Sequence, residues 1–246
     1  MTAPVFVVER FDAGGGGRYV LDGPEGRHAV SVKRLRAGED VVLTDGAGRW
    51  ADCVVLDTEG KDRLILQLDS VSEEAAEQPR VTVVQALPKG DRGELAVETM
   101  TEVGVDAIVP WAAARCITQW KGERGAKALG KWRATAREAG KQSRRVRFPE
   151  VAEAATTRQV AALLAGAEFA AVLHESGDTP LATADLPATG EIVLVVGPEG
   201  GVAPEELALF EEAGAQAYRL GRSVLRTSTA GTAAAAVLLA RTGRWS

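Results

Sequence analysis

Residues 191–207, EIVLVVGPEGGVAPEEL, run from an unbroken apolar segment into Gly-Pro-Glu-Gly-Gly and then into a segment with helical character. A continuous run of β-branched and aliphatic residues reads as a strand buried on both faces, the kind found in parallel sheets. Pro204 suits the first turn of the helix that follows, where no N–H partner is required, and Glu205 and Glu206 oppose the positive end of its dipole. Between strand and helix, Gly200 and Gly201 are expected to let backbone groups meet the flat polar edge of a ligand. The turn lacks GK[ST] and does not read GxGxxG, so ATP and NAD lose their main sequence warrants.

Outward from this stretch the same alternation continues. RVTVVQAL, DAIVPW, FAAVLHE and AQAYRLG read as strands. RGELAVETMTEVG (ended by Gly104), a basic segment, TTRQVAALLAGA, APEELALFEEAG and TSTAGTAAAAVLLARTG read as helices. Apolar strands alternating with helices imply an α/β fold with a mostly parallel sheet covered on both faces. In such sheets ligands bind beyond the carboxyl ends of the strands. Three loops fall there: LHESGD from residue 173, GPEGG from residue 197 and LGRSVLRTST from residue 220.

The first part of the chain has a different texture. Short β-type runs separated by glycine turns predict a small barrel or sandwich over residues 1–72. A polar, acidic stretch ended by Pro79 predicts a linker over 73–79. The α/β domain then occupies 80–246.

Of the 246 residues, 46% are hydrophobic and 26% charged, which is globular composition. The longest apolar stretch, AGTAAAAVLLA, is short for a membrane span, and the N-terminus lacks the basic region and apolar core of a secretory signal. Two cysteines far apart and two histidines make a metal site unexpected. The reading is of a soluble, cytoplasmic, metal-free protein. Cys53, Cys116, Met100 and Trp132 read as core. His28 reads as a surface or RNA contact, and His174, at the end of a strand, as either structural or functional.

The net charge is -5, yet residues 121–147 hold ten basic residues and two acidic ones, a local +8 that leaves -13 elsewhere. On a helical wheel the basic residues from Lys131 to Arg145 share one face, while Leu129, Trp132, Ala136 and Ala139 share the opposite one. A positive surface on an acidic body has the form of a phosphate-binding footprint.

HAVSVKRLRAGEDVVLTDG, ALPKGDRGELAVETMTEVGVDAIVPWAAARC, KWRATAREAGKQSRRVRFPEV, VLVVGPEGG and LGRSVLRTSTAGTAA, taken in order, resemble the RsmE family, the 16S ribosomal RNA uridine-N3 methyltransferases of the SPOUT superfamily. The resemblance covers nearly the whole chain. It implies a PUA-like β-barrel that helps hold RNA, and a SPOUT-type parallel-sheet domain whose end is threaded into a trefoil knot. It further implies S-adenosylmethionine as cofactor, 16S rRNA or the small ribosomal subunit as partner, and a homodimer packed through the knot. Carried over by position, the cofactor lies against Leu173, His174, Gly197, Pro198, Glu199, Gly200, Gly201, Leu220, Gly221, Leu225, Arg226 and Thr227. Arg226 is assigned to the methyl-transfer centre, where it stabilises charge developing on the uracil ring; Glu102, His174 and solvent are the candidates for accepting the proton. Lys33, Arg34, Arg36, Lys89, Arg115, Lys131, Arg145 and Arg147 are assigned to RNA phosphates. The family commonly has arginine at Ser223, glutamate at Ser228 and lysine at Thr99. A SPOUT ribose-2'-O-methyltransferase would share the cofactor loops, and a non-catalytic RNA-binding assembly factor would share the basic helix.

Overall fold

A computed structural model describes residues 3–11 and 17–245; residues 1, 2, 12–16 and 246, which fall inside the expected domain spans, lie outside the described residues. The chain divides into two units, Met1–Ala76 with Gly140–Phe148, and Glu77–Ala139 with Pro149–Ser246.

In the first unit the short β-type runs become β1 (Val5–Val7), β2 (Gly17–Leu21), β3 (Asp40–Thr44), β4 (Arg49–Glu59), β5 (Arg63–Leu68) and β6 (Ser72–Glu73), with a short helix α1 (Gly23–Arg27) running into a π-helical turn at His28–Val32. Their sheet order is β1-β3-β4-β5-β2, with β6 beside β4. Phe6, Leu43, Leu64 and Leu66 are fully buried in its core, each stabilising the unit by about 2 kcal/mol through removal of apolar surface from water.

Residues 140–148 lie inside the span read from sequence as the α/β domain, and pack instead with these strands. The Thr44 hydroxyl donates to the Val146 carbonyl at 2.8 Å, and the Phe148 N–H to the Gly46 carbonyl at 2.8 Å. Gly46 has φ of 73°, and a Cβ there would sit 2.9 Å from the Phe148 ring. Lys141, read from sequence as part of the exposed cationic face, is buried, and its ammonium pairs with both Glu25 oxygens at 3.1 Å.

Cys53 is buried as expected, and burial pushes its thiol up to about 12; the Leu43 backbone bond opposes that rise and the charges of Asp52 and Asp69 add to it. The nucleophilic thiolate is therefore suppressed at neutral pH. We expect maleimide to leave Cys53 unmodified in the folded protein and to label it only in denaturant, as read by intact mass. Labelling of Cys53 under native conditions would contradict this packing.

The second unit follows the strand and helix alternation closely. Its elements are β7 (Arg80–Ala86), α2 (Arg92–Val103), β8 (Ala107–Trp111), α3 (Gly122–Gln142, whose last residues belong to the first unit), β9 (Glu150–Val151), α4 (Thr157–Ala165), β10 (Phe169–Leu173), β11 (Thr179–Pro180), β12 (Glu191–Val196), α5 (Pro204–Glu212), β13 (Gln216–Arg219) and α6 (Thr227–Arg241). Gly104 ends α2 at φ 109°, a left-handed conformation that glycine adopts without strain.

The seven strands are ordered β11-β13-β10-β12-β7-β8-β9, and every pairing is parallel. Strand alternation sends Ile192, Leu194 and Val196 into one core with Met100, Trp132 and Leu238, and Val193 and Val195 into another with Val160, Leu164 and Phe210. Helices α2, α3 and α6 thus cover one face and α4 and α5 the other, which is why the strands are apolar throughout. Leu129, Trp132, Ala136 and Ala139 form the packed side of α3, as the wheel predicts.

Candidate active site

Because β13, β10 and β12 are neighbours, the loops leaving their carboxyl ends are neighbours too. The three loops picked out in the sequence converge on one cavity of about 630 Å³. It is lined by Leu173 and His174 from the first loop, Gly197, Pro198, Glu199, Gly200 and Gly201 from the second, and Leu220, Gly221, Leu225, Arg226 and Thr227 from the third. All the residues expected to meet a cofactor are therefore brought together.

The glycine turn has an internal logic beyond ligand access. Gly201 has φ of 75° and donates its N–H to the Pro198 carbonyl at 2.9 Å, closing the turn. A Cβ on Gly197 would lie 2.9 Å from the Val202 side chain, and one on Gly200 would lie 3.3 Å from Cβ of Arg115. Two of the three bare backbones thus admit the protein's own wall, a use that pattern reading does not reveal.

Glu206, in the first turn of α5, holds that wall in place. It is 5% exposed; Oε1 accepts from the Ala114 N–H at 2.8 Å and from the Thr157 hydroxyl at 2.9 Å, and Oε2 accepts from the Ala203 N–H at 3.2 Å. One carboxylate joins the loop after β8 to the starts of α4 and α5. The next residue, Arg115, then donates from Nη1 to the Gly200 carbonyl at 3.0 Å. Glu199 accepts from the Lys89 backbone N–H at 3.2 Å, which brings the loop after β7 to the same edge.

Arg226 occupies the N-cap of α6, its carbonyl accepting from the N–H groups of Thr229 and Ala230 at 2.9 Å, while its side chain lines the cavity. His174 accepts the Ser176 N–H at Nδ1 (3.2 Å) with the Ser176 hydroxyl 2.6 Å away. A backbone donor at Nδ1 places the proton of the neutral ring on Nε2. Burial pushes the Tyr218 phenol, also on the lining, up from its usual range, so that it stays protonated.

Glu102, a candidate from sequence for accepting the proton, lies apart from the cavity. It is exposed near the end of α2 and does not line the cavity. Ten residues of helix, about 15 Å at the standard rise, separate it from Arg92 at the cavity wall.

The cations assigned to RNA divide by environment. Lys33, Arg34 and Arg36 form an exposed cluster on the first unit. On the same unit Arg145 is half-buried, and Arg147 donates to the Glu74 carbonyl at 2.7 Å with its guanidinium against Gly48. On the second unit Lys89 and Arg115 stay exposed at the cavity edge, while Lys131 pairs with Glu94 at 2.8 Å. Arg92 and Arg219, neither assigned a site from sequence, also line the cavity, as does Arg222, one residue before Ser223 where the family commonly has arginine. Among the described residues no group of three or more His, Cys, Asp or Glu is placed to hold a metal ion, and no helix is long and apolar enough to cross a membrane.

A parallel sheet with a cavity at neighbouring carboxyl ends, together with a separate small β unit, defines a two-part α/β protein. Residues 74–239 match the family described as RNA methyltransferase domain, and residues 21–69 the family described as RNA methyltransferase PUA domain. The ribosomal RNA small subunit methyltransferase E of Mycobacterium tuberculosis is 46% identical over 230 residues, 92% of this chain and 87% of that protein. The Bacillus subtilis protein of the same name is 29% identical over 220 residues, 86% of each. Among solved structures, ribosomal RNA small subunit methyltransferase E of Neisseria gonorrhoeae, bound to S-adenosylmethionine, superposes with TM-score 0.85 at 29% identity over 98% of both chains. A Legionella pneumophila methyltransferase in complex with the same cofactor gives TM-score 0.85 at 27% identity, again over 98% of both. The chain belongs to the ribosomal RNA small subunit methyltransferase E family.

Proposed function

We propose that this protein transfers a methyl group from S-adenosylmethionine to N3 of a specific uridine in 16S rRNA of the small ribosomal subunit. The observation that carries the reading is the convergence of the 173–178, 197–203 and 220–227 loops on one cavity that Arg226 lines, in a family whose solved members include cofactor-bound structures. A volume of about 630 Å³ is within the range of small-molecule sites, and the lining presents backbone edges at Gly197, Gly200, Gly201 and Gly221 to which a flat heterocycle and a ribose fit.

When bound, S-adenosylmethionine supplies an electrophilic methyl on a sulfonium. The chain's own residues do the rest. The three loops hold the cofactor and fix its orientation, which accounts for much of the acceleration through alignment. Arg226 stabilises negative charge on the uracil ring, easing loss of the N3 proton and building electrostatic support where charge develops. His174, with Nδ1 occupied by Ser176, presents an N–H donor, so in this reading the proton leaves to solvent.

The first unit, with Lys33, Arg34 and Arg36 exposed, holds RNA, and the target nucleotide is splayed out of its stack to reach the cavity. Trefoil threading of the last segment belongs to the same reading: β13 lies outside β10, whereas α6 returns to pack on α2, β7 and β12. A cytoplasmic homodimer and a linker at 73–79 between the two domains complete it, with residues 140–148 returned to the first domain.

Calorimetric titration tests the site. We expect S-adenosylmethionine to bind and NAD and ATP not to. Binding of NAD or ATP in its place would overturn the reading.

A further inference from the structure

The cavity lining has a charge that its cofactor does not explain. Arg92, Arg115, Arg219, Arg222 and Arg226 face it against Glu175 and Glu199. S-adenosylmethionine carries a sulfonium and an ammonium against a single carboxylate, so an excess of guanidinium groups opposes its binding rather than assisting it. The surplus suits an anionic second ligand, and within the proposed reaction that ligand is RNA.

Arg92 stands apart from the other four. It is half-buried where they are exposed, and among the described residues its guanidinium has no hydrogen-bond or ion-pair partner. Desolvating a guanidinium without a partner is costly. Arg92 is also the first residue of α2, where the dipole disfavours a cation; the N-cap Asp91 and Glu94 stand in the same turn, yet neither bonds its guanidinium, and Glu94 is committed to Lys131 at 2.8 Å. Its backbone is nonetheless held firmly, because the next residue, Gly93, lies against the Trp132 indole so closely that a Cβ would come within 2.6 Å. A local rule broken at a rigid position on a cavity wall is the signature of a residue kept for its ligand.

We infer that Arg92 is an RNA-binding residue of the methyl-transfer cavity, its guanidinium forking onto a phosphate of the target nucleotide and fixing the base for attack. This rests on the methyltransferase reading above. Arginine suits the task because its planar fork meets two phosphate oxygens at once. The assignment separates two functions within one cavity: the loops after β10, β12 and β13 hold the cofactor, and the start of α2 holds the substrate backbone.

The test uses the full-length protein, small subunits purified from cells lacking the enzyme, and radiolabelled S-adenosylmethionine. For Arg92→Ala we expect KM for subunits to rise about tenfold or more, as for a lost charge-assisted hydrogen bond. The dependence of log KM on log salt should become shallower by about one unit. The calorimetric Kd for S-adenosylmethionine should stay within about twofold, since the backbone loops are untouched. Arg92→Lys, which keeps the charge and loses the fork, should retain the wild-type salt slope with an intermediate KM. A raised cofactor Kd with unchanged subunit KM would overturn the assignment, as would a fall confined to kcat. A wild-type protein that fails to bind S-adenosylmethionine would overturn the underlying reading instead, and the two failures are told apart by that control.

Discussion

Replacing Arg226 by alanine is expected to lower turnover about 100- to 1,000-fold while leaving S-adenosylmethionine affinity nearly unchanged. Two features of this site separate the effects. The side chain faces the cavity and has no protein partner among the described residues, so its loss leaves no orphaned group behind. The backbone carbonyl, which caps α6 through Thr229 and Ala230, survives the substitution, so the loop that carries Leu225 and Thr227 keeps its anchor. A charge that acts only as the ring becomes anionic is needed in the transition state and not in the cofactor complex, and its removal lowers kcat and kcat/KM together. The measurement is single-turnover transfer to unmethylated subunits alongside calorimetry. Parallel loss of rate and cofactor affinity would move Arg226 into the binding shell.

The second large effect is on stability. Arg244 is 5% exposed at its side chain, and its guanidinium is fully engaged: it pairs with Asp106, bonds Glu77 at 2.8 Å through Nε, and donates to the Pro79 and Gly104 carbonyls at 3.2 Å. Asp106 also accepts the Val81 N–H at 2.8 Å, and the Trp245 indole donates to the Val103 carbonyl at 3.1 Å. The end of the chain is thereby latched to the start of β7 and the end of α2. Burial alone would lower the Arg244 pKa; the Asp106 bond and then Glu77 outweigh it, and the net shift is upward, so the pair stays charged throughout the neutral range.

Arg244→Ala leaves Asp106 largely buried, 13% exposed at its side chain, without its cation. Stranding one partner of such a pair costs about 3 kcal/mol, which for a chain of this size corresponds to a Tm lower by about 6–12 °C. Differential scanning calorimetry at neutral pH reads it directly. A Tm within about 2 °C of wild type would show that the latch carries little of the stability. Arg244→Lys should recover only part of the loss, because an ammonium does not reproduce the planar set of donors.

What was legible in the sequence follows from how local each signal is. The strand at 191–196, the turn and the helix begun by Pro204 were readable because apolar continuity, glycine and a first-turn proline each act within a few residues. The end of α2 at Gly104 and the packed side of α3 were readable for the same reason. Convergence of the three loops on one edge followed from the parallel-sheet rule, which needs only strand type and order.

Interactions between distant segments were not readable. The basic helix reads as a cationic face because only two acidic residues accompany ten basic ones over residues 121–147. Its partners come from elsewhere in the chain: Glu94 for Lys131, Glu153 for Arg133 at 3.0 Å and Glu25 for Lys141. Residues 140–148 left the α/β span for the same reason, through bonds to Thr44 and Gly46 about a hundred residues earlier. Glu206 was legible as a helix-start residue and not as the tie between three elements. Glu102 sits in a motif of the family and lies near the end of α2, away from this cavity. Arg92, flanked by Asp91 and Glu94 in the sequence, left no trace there; it acquires meaning only once Glu94 is seen paired with Lys131 and the cavity is seen beside it. Thr99, where the family commonly has lysine, meets the Thr232 hydroxyl at 2.7 Å, so that departure is absorbed by a contact between α2 and α6.

The most direct test of the central claim is the chemical identity of the product. Small subunits from cells lacking the enzyme are incubated with the protein and isotopically labelled S-adenosylmethionine, and the RNA is digested to nucleosides for mass spectrometry against authentic standards. The account predicts label in 3-methyluridine, abolished when the cofactor is omitted and strongly reduced by Arg226→Ala. Label in a 2'-O-methylated nucleoside, or no label in the RNA from a protein that binds the cofactor, would contradict it.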